Sequence, residues 1–259
     1  MTYGLWLSAA GMQANEYRQD VLANNLANAN TVGFKQDLAV IRERAVEGAG
    51  PEGGSTVGDS LFGAMDGLSG GSFVAPTYHS FAQGPVTQTH NPLDAAIDGD
   101  GFFAVRVGDD LRYTRDGRFT TNADNELVMV ANGGRAKVLD DAGAPIVLLP
   151  ATAGRPRIAA DGTIRQGTTV VGKLGLAEFD DRDNLRKVGA NLFQATGGRV
   201  GPAQRSSVLA GHVEQSTVNP IGGLASMIEV SRAYQLNANM ISLQDSTIGQ
   251  AVSRVGRIG

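Results

Sequence analysis

The sequence predicts an α+β protein, with long N- and C-terminal helices paired as a helical domain and an all-β middle domain inserted between them. Three observations carry this. Asn219-Pro220 opens a stretch without another proline, in which apolar or small residues recur every seven positions. Residues 4–29 hold a second helical pattern. Between the two, turn signals recur at short intervals with no helical stretch separating them, which disfavours parallel βαβ units. The 259 residues include 35 glycines, nearly twice the usual share of roughly 7%, as many turns between short strands require.

The first expected segment is 1–47. Leu5, Ala9, Met12, Leu22 and Leu26 share one face at spacings of three and four residues or their multiples, and Gly33 follows as a stop. Asn24, Asn25, Asn28 and Asn30 are poor helix formers, because their side chains compete for backbone hydrogen bonds. They fit best where amides bond to other chains or cap the helix end. Val32-Gly33-Phe34-Lys35 reads as a tight turn, and Leu38, Val40, Ile41 and Val46 resume an apolar pattern. Composition then shifts: 48–84 is expected to be a Gly-rich flexible linker, with nine glycines in 48–74.

The β domain is expected over 85–205. Ala95 to Val107 alternates around a DGDG turn. Arg112 to Phe119 reads as a hairpin with Asp116-Gly117 at its tip and Arg115 paired with Asp116 at the surface. Short apolar runs in 127–148 are split by Asn132-Gly133-Gly134 and Asp141-Ala142-Gly143. Further strands are expected at Thr163-Ile164, as a pair around Gly172 in 170–179, and at 192–195.

The last segment, 206–259, carries the C-terminal helix, expected from about 220 to 255. Pro220 suits a first helical turn. One heptad row is Leu224, Ser231, Ala238, Asp245 and Val252; the other is Met227, Tyr234, Ile241, Ile248 and Val255. Such a helix is roughly 54 Å long at about 1.5 Å per residue and needs partner helices to bury its stripe.

Chemistry is thin. His79, His90 and His212 are scattered without metal-ligand spacing. No G-x-S-x-G occurs. The DGDG at 98–101 lacks the ligand spacing of a calcium loop, and GGRVG at 197–201 does not open a helix. NADNE at 122–126 reads as a hairpin loop, and Asp180, Asp181 and Asp183 as a solvated turn. No catalytic, cofactor-binding or metal residue is therefore predicted, and the expectation is a protein that is not an enzyme. A carbohydrate-binding β module with a helical oligomerisation tail would need an aromatic platform, but the sole tryptophan, Trp6, lies in a predicted helix. A net charge of −4 offers no footprint for nucleic acid. No apolar run reaches membrane-spanning length, so no membrane insertion is expected. The N-terminus lacks a basic region before its apolar patch, so no cleaved signal peptide is expected. Cysteine is absent.

Four motifs together carry a resemblance. LANNLANANTVGFK at 22–35, NPLDAAIDGDGFFAV at 91–105, YTRDGRFTTNADNELV at 113–128 and VEQSTVNPIGGLASMIEVSRAYQLNA at 213–238 resemble bacterial flagellar rod and hook proteins. They stand in the right order at both ends and in the middle, and the size suits a rod protein. NPIGGLASMIE at 219–229 looks closer to the proximal-rod protein; the RAY triplet at 232–234 and YTRDGRF also fit the distal-rod protein. The tip IGQAVSRVGRIG departs from both.

The resemblance implies export through the flagellar type III apparatus and a place in the periplasmic rod of the basal body. It implies termini that order only on assembly, and partners that are copies of the chain and neighbouring rod proteins. The implied assembly residues are Leu5, Met12, Leu22 and Leu26 with Leu224, Met227, Ile228, Tyr234, Ile241 and Ile248, and the asparagines 24, 25, 28 and 30 bonding across subunits. The implied work is transmission of torque.

Overall fold

The computed structural model describes residues 2–43, 71–203 and 205–255. Of the linker expected over 48–84, residues 48–70 lie outside the described residues, as does Val46, and the remainder carries short strands at Ser72–Val74 and Tyr78–His79. The chain divides into two compact units. One comprises Met1–Leu26, Asp37–Tyr78 and Pro220–Gly259; the other comprises Ala27–Gln36 and His79–Asn219. Residues 206–219, expected in the C-terminal helical segment, thus belong with the β-rich unit.

The helical unit is built on α1 (Thr2–Ala27) and α2 (Pro220–Val255). Both helices are where the periodicity places them, and α2 starts at the proline that suits its first turn. Four short strands precede residue 80: β1 (Asp37–Leu38), β2 (Ile41–Glu43), β3 (Ser72–Val74) and β4 (Tyr78–His79). β2 pairs antiparallel with β3, with Ile41 opposite Val74.

The β-rich unit begins with β5 (Val86–Gln88), β6 (Ala95–Asp98), β7 (Phe102–Val107), β8 (Asp110–Thr114), β9 (Phe119–Thr121), β10 (Leu127–Met129) and β11 (Ala136–Val138). It continues with β12 (Pro156–Ile158), β13 (Thr163–Gln166), β14 (Thr169–Lys173), β15 (Leu176–Phe179), β16 (Leu185–Lys187) and β17 (Leu192–Ala195). It ends with β18 (Val200–Pro202), β19 (Ser207–Ala210) and β20 (His212–Glu214). The main sheet has nine strands along the path β16-β17-β8-β7-β11-β10-β9, with β15 bridging β7 and β18. Every pairing given for these strands is antiparallel, consistent with short turns in place of crossover helices. β19 pairs with β6, and β20 with β5.

β7 lies at the centre. Its run FFAVRV puts successive side chains on opposite faces, and both faces are covered. Phe103 and Val105 join a core with Ile97, Phe119, Leu127, Met129, Val138 and Ile164. Phe102 joins a second cluster with Tyr113, Phe179, Leu185 and Phe193, the rings meeting edge to face.

The turn readings are mixed. NADNE closes the β9–β10 hairpin: Asn122 Oδ1 accepts the amides of Asp124 and Glu126, and Asn125 takes a φ of 60°. The segment 112–119 is not a hairpin, because β8 pairs with β7 and β17 whereas β9 pairs with β10. Arg115 and Asp116 are instead a buried corner. The corner is tight: a Cβ on Gly117 would stand 1.6 Å from the Ala95 carbonyl oxygen, so only glycine fits. Gly172 does not turn the chain either. It lies inside β14, and the chain passes from that strand's sheet to β15 of the main sheet at Gly175, where a Cβ would meet the Asp140 carbonyl at 2.4 Å.

Candidate assembly surface

The two terminal helices run antiparallel, and glycines mark where they meet. A Cβ on Gly4 would lie 2.9 Å from Gln244 Nε2, and one on Gly11 would lie 3.0 Å from Asn237 Nδ2. Both pairs are seven residues apart on each helix, the spacing of a helical seam. Half-buried residues of α2 follow the same rule: Met227, Val230, Tyr234, Asn237, Ile241, Gln244, Ile248 and Ala251 alternate at steps of three and four, with the small residues Gly223, Ser226, Ser231, Ala233 and Ala238 half-buried beside them.

The row Met227, Tyr234, Ile241 and Ile248 is half-buried, and the side chain of Val255 lies outside the described set. The companion row is only partly as expected: Ser231 and Ala238 are half-buried, but Leu224, Asp245 and Val252 are exposed, and Val230, Asn237, Gln244 and Ala251 are half-buried one residue earlier. The cause is complementarity with α1. Its glycines leave room for amide side chains, so Asn237 and Gln244 take seam positions that a count of apolar residues assigns elsewhere. On α1, Leu5, Met12, Leu22 and Leu26 are half-buried, and Ala14 and Asn15 are buried.

Large apolar side chains stay exposed on α2 outside this seam. Ile221 is 81% exposed, Leu236 65% and Val252 67%, and Leu224, Ile228, Met240 and Leu243 are also exposed. At about 100° per residue, Ile221, Leu224 and Ile228 fall on one flank of the seam, and Leu236, Met240 and Leu243 on the other flank further along. An isolated exposed leucine is ordinary; a series of such residues along both flanks of one helix is a surface built for contact.

The asparagines separate into different roles. Asn25 is buried, and its amide is used within the chain: Nδ2 donates to the Asp37 carbonyl at 2.7 Å, and Oδ1 accepts the Asp37 amide at 2.9 Å. Asn28 is half-buried, and its Oδ1 accepts the Thr31 hydroxyl at 3.2 Å. Asn24 and Asn30 are exposed. Elsewhere in the helical unit, the Tyr17 and Thr77 hydroxyls share a hydrogen bond.

The end of the same N-terminal motif belongs to the β-rich unit, where Val32, Gly33, Phe34 and Lys35 are all buried. Lys35 Nζ lies 2.6 Å from Glu214 Oε1, and Arg115 Nη1 lies 3.3 Å from Glu214 Oε2, all three side chains at 1% exposure or less. Burial pushes the Lys35 ammonium below the usual lysine range, with Glu214 opposing and Arg115 adding to the drop. Burial likewise lowers the Arg115 guanidinium. Asp116 pairs with Arg118 at 2.7 Å, so the expected Arg115–Asp116 pair does not form.

Sequence reasoning missed this cluster, yet a signal exists. Lys35 is the only charged residue between Asp20 and Asp37, and Glu214 the only one between Arg205 and Glu229 if His212 is neutral. A lone charge in a long uncharged stretch needs a partner if the stretch is buried.

Among the described residues no group of three or more His, Cys, Asp or Glu could hold a metal ion. No described helix is long and apolar enough to cross a membrane.

Three family descriptions match the chain. Residues 7–35 match "Flagella basal body rod protein", 96–166 match "Flagellar hook protein FlgE/F/G D1 domain", and 209–254 match "Flagellar basal body rod FlgEFG protein C-terminal". The chain is 38% identical over 243 residues to "Flagellar basal-body rod protein FlgF" of Caulobacter vibrioides, covering 92% of each. It is 35% identical over 258 residues to the protein of the same name in Mesorhizobium japonicum, covering 99% of each. It is 32% identical over 264 residues to "Flagellar basal-body rod protein FlgG" of a Buchnera aphidicola subspecies, covering 96% of this chain and 98% of the relative.

Proposed function

This chain belongs to the flagellar basal-body rod protein family and is a structural subunit of that rod; we propose that it builds the rod through its two terminal helices. The observation that carries the reading is the unequal use of α2. One stripe is half-buried within the chain, and the apolar residues beside it, Ile221, Leu224, Ile228, Leu236, Met240 and Leu243, are exposed. Neighbouring rod subunits supply the missing cover. Head-to-tail contacts that do not close on themselves give a helical filament. In this reading Met227, Tyr234, Ile241 and Ile248, with Leu5, Met12, Leu22 and Leu26, hold the two helices together. Leu224 and Ile228 serve contacts between subunits, as do Asn24 and Asn30.

The chain works by transmitting torque, with no substrate and no turnover. It travels through the flagellar type III apparatus and takes its place in the periplasmic rod. The resemblance of 219–229 supports the proximal position. The domain arrangement we propose is a helical domain made from both termini with the β domain inserted between them.

Deleting 225–259 tests this. The β-rich unit should stay folded and soluble, while rod assembly and swimming are lost. Normal motility in the deletion strain contradicts the proposal.

A further inference from the structure

We propose that Glu214, held by Lys35 and Arg115, is a latch that makes release of the segment after α1 and release of the segment before α2 a single event within the β-rich unit. This goes beyond the assembly reading and does not depend on it.

The latch gathers stretches far apart in sequence around one carboxylate. Glu214 Oε1 accepts from Lys35 Nζ at 2.6 Å and from the Gly84 amide at 2.7 Å; Oε2 accepts from Arg115 Nη1 at 3.3 Å. Lys35 Nζ donates again to the Ala82 carbonyl at 2.7 Å, and Arg115 Nη2 to the Gly99 carbonyl at 2.7 Å. The Arg115 guanidinium also lies over the Phe102 ring, 4.8 Å from its centroid. Arg115 Nε is buried without a hydrogen-bond partner among the described residues.

Backbone contacts join the same two segments directly. The Gly33 amide donates to the Glu214 carbonyl at 2.7 Å, and the Thr217 amide to the Phe34 carbonyl at 3.1 Å. The Gln36 amide donates to the Thr217 hydroxyl at 2.9 Å. Two glycines allow the approach. A Cβ on Gly33 would stand 2.5 Å from the Asp116 nitrogen, and one on Gly84 would stand 2.3 Å from the Gln215 carbonyl. Residues 33–36 and 214–217 therefore form one hydrogen-bonded layer, fastened to the β corner by the carboxylate.

Charge and the direct hydrogen bonds together explain why the segments cannot part singly. The cluster holds two cations and one anion. Withdrawing 33–36 takes Lys35 from a buried carboxylate. Withdrawing 212–217 leaves two cations facing each other with no anion between them. Opening 212–217 alone strands buried charge, and opening 33–36 alone, although it leaves the Arg115–Glu214 pair, strips the Thr217 amide of its acceptor; each costs more than opening both segments to water. These two segments are also the chain's connections out of α1 and into α2.

Amide hydrogen exchange on the full-length chain at neutral pH tests the latch. In the unmodified protein, peptides within 28–36 and 212–219 should open with the same protection and the same dependence on added denaturant. Lys35→Met should speed exchange in both segments by about tenfold or more, although residue 35 lies in only one. Glu214→Gln should speed both further, because it leaves two unpaired cations. Peptides in β7 should keep their protection in Lys35→Met. If Lys35→Met loosens 28–36 alone, or if the two segments of the unmodified protein open with different denaturant dependences, the latch is refuted. The measurement on the unmodified protein decides even if Glu214→Gln does not fold.

Discussion

Strand β7 and helix α2 are both rich in apolar residues, and they end in opposite environments. In β7, Phe102, Phe103 and Val105 are fully buried, because each face of the strand meets a separate cluster of the same unit. In α2 none of the described side chains is buried, although the helix carries Ile, Leu, Met and Val throughout. The β-rich unit finishes its own core. The helical unit presents a seam and leaves the flanks of α2 exposed. The comparison teaches that hydrophobicity alone does not mark a core; what matters is whether the chain supplies both sides of the contact.

The largest effect should come from the side that is complete. Phe103→Ala should cost about 3–5 kcal/mol, the range for losing a buried aromatic ring from a closed core. Urea unfolding followed by near-ultraviolet circular dichroism measures it. A loss below about 1 kcal/mol would mean the β core is not closed around β7.

Gly33→Ala should come next, at about 1–3 kcal/mol, for its left-handed backbone. Gly33 has a φ of 70°, and a Cβ there would approach the Arg115 and Asp116 backbone at 2.5–2.8 Å. The same urea titration applies, and a neutral result would show that the Val32–Lys35 turn is not held against the β corner.

A smaller effect belongs to the partly exposed Glu126–Lys137 pair, 2.7 Å apart. Lys137, with Asn122, holds the Glu126 carboxyl below its usual range. A depressed carboxylate contributes stability above its unfolded pKa of about 4.3 and loses it as pH falls through the lower folded value. Lys137→Met should therefore cost about 0.2–1 kcal/mol near neutral pH and nothing at strongly acid pH. Parallel urea titrations at the two pH values sharpen the contrast with the buried core.

The smallest change in the isolated chain should follow Leu243→Ala, within about 0.5 kcal/mol because the side chain is already in water. The same substitution should impair rod assembly, scored by motility in soft agar. A large loss of stability in the monomer would show that Leu243 is buried by its own chain.

The division between legible and hidden follows periodicity. Both helices and the β9–β10 hairpin were readable because repeats of three to four residues, or an asparagine-rich loop between apolar runs, are local signals. The half-burial of Met227, Tyr234, Ile241 and Ile248 follows the same period. The companion row was legible only at Ser231 and Ala238, because Asn237 and Gln244 qualify only through the glycines of α1. The corner at Arg115-Asp116 was hidden because adjacent opposite charges suggest a surface pair, whereas each finds its partner elsewhere, Arg115 in Glu214, ninety-nine residues away. Asn25 was assigned outward because nothing local reveals that Asp37 turns its backbone toward it.

Amide exchange along α2, compared between the dilute chain and assembled rods, tests the central claim most directly. The account predicts that α2 amides in the dilute chain exchange orders of magnitude faster than those of β7, and that they become protected in the rod. Protection of α2 equal to that of β7 in the dilute chain, with no further gain on assembly, would contradict it.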